Sequence, residues 1–146
     1  AAHGVYLLDT HVVSELRKVA EGEADPQVAA WQTGLDELAC FISVITLLEL
    51  QVGVLHIERR DATQGAMLHA WLEQRVIPEF AGMILPIDQA MALRCAQLHV
   101  PDPRPAHDAL IGATALVHGL TVVTRNTADF APMGAVLLDP RRDRRA

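Results

Sequence analysis

Short apolar runs alternate along this chain with longer segments of helical period. Val5-Tyr6-Leu7-Leu8 contains no strongly polar residue. An apolar run that does not alternate reads as a strand covered on both faces. Ala39–Ile42, Met83–Ile87, Leu120–Val123 and Ala135–Leu138 are the further strand candidates. Between them the period changes. Val12, Val13 and Leu16 predict a first helix ending near Arg17-Lys18. A polar loop, Glu21 to Asp25, follows. Asp25-Pro26 then reads as an N-cap and a proline at the first helical position, opening a helix through Val28, Trp31 and Leu35. Ser43 is placed to cap a helix that reaches Arg59-Arg60, and a further helix spans Ala62 to Val76, ending before Pro78. Asp88 caps another, through Ala90, Leu93 and Leu98. Pro101-Asp102-Pro103-Arg104-Pro105 must be a loop. The helix that Asp108 begins stops at His118-Gly119. Strands alternating with helices imply a parallel sheet with right-handed crossovers.

Composition narrows the class. A chain of 146 residues, 51% hydrophobic and 21% charged, suits one globular domain with a sizeable core. We expect that domain to run from Val5 to Pro140, followed by a basic, disordered tail over 141–146. Ala1-Ala2-His3-Gly4 is too short for a signal peptide. A net charge of -6 gives no global attraction for nucleic acid, so such a role would need a local basic patch or a bound metal. Cys40 and Cys95 sit in apolar surroundings without metal spacing, which predicts buried free thiols and a reducing cytoplasm. No apolar stretch reaches the ~20 residues that span a bilayer.

The candidate chemistry lies where apolar segments meet charge. Asp9 closes the first strand, Glu49 falls about two turns into the helix after the second, and Asp108 opens Ala109-Leu110-Ile111-Gly112-Ala113. The turn Thr124-Arg125-Asn126-Thr127-Ala128-Asp129-Phe130 follows the fourth strand and offers a further position. In open parallel sheets, ligands bind beyond the carboxyl ends of the strands, and all four places face that rim. Two carboxylates ~4 Å apart repel by roughly 4 kcal/mol at an effective dielectric near 20. A cluster of them either raises its pKa values or takes a hard divalent cation, and an all-oxygen set suits Mg²⁺ or Mn²⁺. Such ions serve phosphoryl chemistry. Each acid also has a structural explanation. Asp9 can cap a helix, Thr46-Leu47-Leu48-Glu49 matches a capping box, Asp108 suits a first turn, and Asp129 suits a turn. Only the ordered set argues for a site.

That set resembles the PIN-domain ribonucleases, in particular the toxins of VapBC-type toxin–antitoxin pairs. The resemblance is carried by Leu7-Leu8-Asp9-Thr10, Ile45–Gly53, His107–Ala115 and Val123–Phe130. Ile77–Pro86 is similar to the FitB-like branch. The resemblance implies an α/β, PIN-like single domain with a parallel sheet of about five strands flanked by helices. It implies Mg²⁺- or Mn²⁺-dependent endonucleolytic cleavage of RNA by a metal-activated water. Carried over by motif, Asp9 and Asp108 are the metal ligands, Glu49 completes the cluster directly or through water, and Thr10 or Thr124 orients water or ligands. It implies a VapB-type antitoxin as partner and a homodimer, for which Trp31, Trp71 and Leu47/Leu48 are candidate contacts that core packing explains equally well.

Two departures stand out. Asparagine usually follows Asp-Thr, where this chain has His11. That histidine could hold Asp9, bind metal or weaken the site. Some relatives carry aspartate in the Thr-Arg-Asp turn, where this chain has Asn126; Asp129 is the other candidate for that place. Arg125, beside the site, could contact a phosphate oxygen. His107 could lie near it, whereas His56, His69, His99 and His118 lack ligand spacing. Arg59-Arg60 reads as a solvated helix end. The alternative reading is a catalytically weakened PIN-like module that binds RNA or protein. Phosphotransfer receivers and haloacid-dehalogenase-like phosphatases fit less well, because the first needs paired acids and a late lysine. The second needs an aspartate where His11 stands.

Overall fold

The computed structural model describes residues 4–20, 22, 26–33 and 39–142. Five parallel strands form one sheet in the order β3-β2-β1-β4-β5, with β1 Tyr6–Leu8, β2 Cys40–Ser43, β3 Ile84–Leu85, β4 Thr121–Val123 and β5 Leu137–Leu138. Every strand but β2 is shorter than its apolar run, and β2 is shifted one residue onward. The helices are α1 Thr10–Ala20, α2 Pro26–Thr33, α3 Val44–Arg60, α4 Ala62–Trp71, α5 Ile77–Glu79, α6 Gln89–Leu98, α7 Ala106–His118 and α8 Thr127–Phe130. Asp25 and Leu35, assigned from sequence to the cap and body of α2, lie outside the described residues, as do 143–146 of the tail.

β1 shows why its run does not alternate. Leu7 packs on one face of the sheet with Ile45, Cys95, Leu98 and the α7 residues Ala109, Ile111 and Ala113. Tyr6 and Leu8 pack on the other with Val12, Val13, Trp31, Leu50, Val54 and Leu72. Successive side chains enter opposite cores, so all of them are apolar. Trp31 is buried edge-on to Tyr6, with centroids 6.2 Å apart, and Trp71 packs against the same core beneath Arg17. Both tryptophans thus serve the interior. Cys40 and Cys95 are buried free thiols.

The helix expected to stop at Val76 continues. After α4 the chain takes one π turn, Leu72–Val76, and runs into α5, which contains Pro78. Trp71, Leu72, Val76 and Ile77 all keep right-handed helical dihedrals. A π turn lets a helix accommodate the donor that proline lacks, and it keeps Leu72 and Val76 on the buried side. α3 and α4 approach so closely that a Cβ on Gly65 would lie 2.5 Å from the Glu58 Cα. Gly119 ends α7 with φ 68°, a left-handed conformation that glycine adopts without strain.

Strand order reverses between β1 and β4, since β2 and β3 lie on one side and β5 on the other. Such a switch point opens a crevice at the carboxyl rim. Among the described residues no helix is long and apolar enough to cross a membrane.

Candidate metal centre at the sheet switch point

The crevice is closed at its base by Asp9 and Thr124, the residues that follow β1 and β4. The Asp9 amide donates to the Val123 carbonyl at 2.9 Å, extending the ladder by one bond. Asp9 is 4% exposed, which requires partners for its charge. Thr10 N–H donates to Oδ1 and the Thr124 hydroxyl to Oδ2, each at 2.8 Å. Thr124 in turn accepts from the Asn126 amide at 3.0 Å, which fixes the turn to the carboxylate. Thr10 or Thr124 was expected to orient water or a ligand, and here both donate to Asp9.

Glu49 enters from α3. Ser43 caps this helix, accepting from the Ile45 amide at 3.0 Å. Thr46 is therefore inside the helix and no capping box forms, so the structural explanation for Glu49 falls away. Thr46 instead lies three residues before Glu49 on the same face. The Thr10 hydroxyl donates to Glu49 Oε1 at 2.6 Å and lies 3.3 Å from the Thr46 hydroxyl. His107 Nδ1 lies 3.2 Å from Glu49 Oε2. Against an ionised carboxylate that nitrogen is the donor. Thr46 was not singled out for this place, although its helical spacing from Glu49 carried the signal.

Asp108 stands in the first turn of α7, which begins at Pro105 without a side-chain cap. A helix N-terminus favours a carboxylate and lowers its pKa. The Asp108 pKa is nevertheless raised. Burial is the largest cause, followed by repulsion from Asp9, Asp129 and Glu49, against which His107 acts in the lowering direction. Four carboxylates from four segments thus share one field. Asp129 belongs to that field from the first turn of α8. Asn126 precedes α8, makes no side-chain cap, and contributes through its backbone.

His11 does not hold Asp9. It is exposed, and its Nδ1 faces the Arg125 guanidinium at 3.3 Å. His69 and His99 make local contacts with Glu73 and with the Arg104 amide. Among the described residues no group of three or more His, Cys, Asp or Glu side chains is placed so that it could hold a metal ion by itself. The donor chemistry fits an open site instead. Mg²⁺ keeps several of its waters and binds through one or two carboxylates, and a set of mutually repelling oxygens with no thiolate suits such a hard cation.

The PIN domain family matches residues 6–134 of this chain. Toxin FitB of Neisseria gonorrhoeae is 36% identical over 143 residues, covering 94% of this chain and 99% of its own. The VapC ribonuclease Y4jK of Sinorhizobium fredii is 33% identical, covering 92% and 96%. The crystal structure of FitAcB from Neisseria gonorrhoeae superposes with a TM-score of 0.85 at 34% identity, over 94% of this chain and 99% of that one. Family match, near full-length relatives and the five-stranded switch-point sheet agree, and the chain belongs to the PIN domain family.

Proposed function

We propose that this protein is an endoribonuclease that requires Mg²⁺ or Mn²⁺ and acts as the toxin of a VapBC-type toxin–antitoxin pair. One observation carries the reading: Asp9, Glu49, Asp108 and Asp129 share a field at the switch point of a PIN fold. The names of its relatives, a toxin and a VapC ribonuclease, support the same class.

Asp9 and Asp108 would hold the ion. When bound, Mg²⁺ or Mn²⁺ neutralises phosphate charge and makes water acidic enough to attack at neutral pH. The chain's own residues prepare that place. Thr10 and Thr124 occupy one lone pair on each Asp9 oxygen and leave the others for a ligand. Glu49, whose oxygens face Thr10 and His107, would complete the cluster directly or through water. Asp129 fits the fourth acidic place by its charge, and Asn126 supports the turn.

An antitoxin of the VapB or FitA type is the proposed protein partner, because the similar solved structures are FitAB and VapBC complexes. For the homodimer we propose the outer stripe of α3, where Val44, Leu48, Val52 and Leu55 stand exposed within about 80° of arc. Leu48→Glu with Leu55→Glu should leave a folded monomer by light scattering if that face joins two copies.

The activity test is direct. Purified protein with Mg²⁺ or Mn²⁺ should cleave RNA, and EDTA should stop it. Intact RNA at high protein concentration with either metal would sink the proposal. Calorimetry addresses the weakened-module reading, which His11 and Asn126 motivate: no Mn²⁺ binding up to millimolar concentration would favour it.

A further inference from the structure

Next to the acidic cleft lies a second concavity of opposite character. A pocket of about 120 Å³ is lined by His11, Val12, Glu15, Arg125 and Arg141, with Val28 and Pro140 completing it. It shares its wall with the cleft. Asp9 and Thr124 meet on one side, while His11 and Arg125, two residues and one residue further along their chains, meet on the other.

The charges in this pocket are unevenly matched. Arg141 is committed: its guanidinium bonds to Asp139 at 3.1–3.2 Å and to the Arg125 carbonyl at 3.3 Å. Glu15 faces Lys18 at 3.5 Å. The Arg125 guanidinium lies 3.3 Å from His11 Nδ1 and forms no ion pair among the described residues. A guanidinium carries only donors, so in this contact Nδ1 is the acceptor. Arg125 therefore arrives with its backbone anchored by Arg141, its side chain steadied by His11, and donors to spare. Arginine's planar donor fork matches a phosphate in geometry and charge.

We propose that this pocket seats the phosphate of a nucleotide adjoining the cleaved bond, with Arg125 as the principal contact and His11 and Arg141 as its supports. The proposal rests on the ribonuclease reading of the cleft. It places a cationic contact where an acidic protein most needs one, within about two residues' reach of Asp9. It makes Arg125 a positioning residue that sets the register of the RNA strand, and it gives His11 a purpose away from Asp9. RNA is favoured over an acidic protein segment because Arg125 directly follows Thr124, which bonds Asp9, so a phosphate held there lies beside the cleft in which a phosphodiester is to be cut.

The test uses the full-length protein in EDTA, where binding is read without turnover. A 5′-phosphorylated dinucleotide is titrated while the Arg125 Nε–H resonance is followed, with the unphosphorylated dinucleotide, an acidic peptide and sodium chloride of equal ionic strength as comparisons. A saturable shift with the phosphorylated dinucleotide is expected, retained in Asp108→Asn, and calorimetric binding of the same dinucleotide should be lost in Arg125→Gln. A shift no larger than that from sodium chloride overturns the seat. So does a saturable shift from the acidic peptide alone. In cleavage assays with metal, Arg125→Gln should raise KM by roughly tenfold or more with little change in kcat. It should also reduce the slope of log affinity against log salt for single-stranded RNA by about 0.7; an unchanged slope contradicts a phosphate contact. Binding without cleavage would indict the nuclease reading, and cleavage without binding at Arg125 would indict the seat.

Discussion

The acidic cleft and the cationic pocket share one wall, but their carboxylates respond to pH in opposite directions. In the cleft, burial and like charge raise Asp108. At the pocket's edge burial also pushes Asp139 up, but the hydrogen bonds and charge of Arg141, aided by Arg142, outweigh it and hold that carboxyl below its usual range. A group raised on folding stabilises the fold below its unfolded pKa and loses that contribution as pH rises through the folded value. A group lowered on folding does the reverse: its contribution is present above the unfolded pKa and lost as pH falls through the folded one. The Asp108 carboxylate thus costs stability at neutral pH, whereas the Arg141–Asp139 corner is most stable there. Adjacent parts of one rim have been built to different ends.

The strongest way to break this contrast is Asp108→Asn. It should reduce metal-dependent RNA cleavage by at least about a hundredfold, and in EDTA at neutral pH it should raise the melting temperature. A drop in the melting temperature would mean that Asp108 is structural after all. Thr124→Val comes next. It removes one donor to Asp9 and should cost about 10–100-fold in activity or metal affinity, the range seen when a ligand's own partner is lost. Unchanged kinetics in a variant with normal circular dichroism would show that Thr10 alone suffices.

A smaller effect sharpens the fourth acidic place. Asp129→Asn should weaken Mn²⁺ binding by up to about tenfold in calorimetry, and Asn126→Ala by less. The opposite ranking would return that place to Asn126. The smallest effect belongs to the pocket's edge. Arg141→Ala should cost about 1 kcal/mol or less at neutral pH, since the guanidinium is partly exposed. In a pH series of melting curves the difference from the parent should shrink as pH falls through the folded Asp139 pKa. A constant difference would assign the loss to packing.

Much of this was visible in the chain. Val5–Leu8 gave β1 and its double burial, Ser43 and Asp88 were read as caps and are caps, and Gly119 ends α7. Pro78 misled because proline ordinarily stops a helix, and only the π turn at Leu72–Val76 accommodates it. Asp9, Glu49 and Asp108 were legible because each breaks an apolar pattern. His107 was a candidate through its place before Asp108, whereas Thr46 was missed although it lies one helical turn from Glu49.

Periodicity and capping are set by residues within a few positions of each other, so the sequence by itself determined the order of elements, the parallel sheet and the acidic rim. The entry of Asp129 into the field around Asp108, the turning of His11 toward Arg125 and the use of Thr124 to hold Asp9 were decided only by the tertiary structure. The Thr124–Asp9 bond joins residues 115 positions apart, and the His11–Arg125 contact 114. Their meeting depends on β4 lying beside β1 and on which way each side chain leaves the end of its strand, and neither is encoded in the residues next to them.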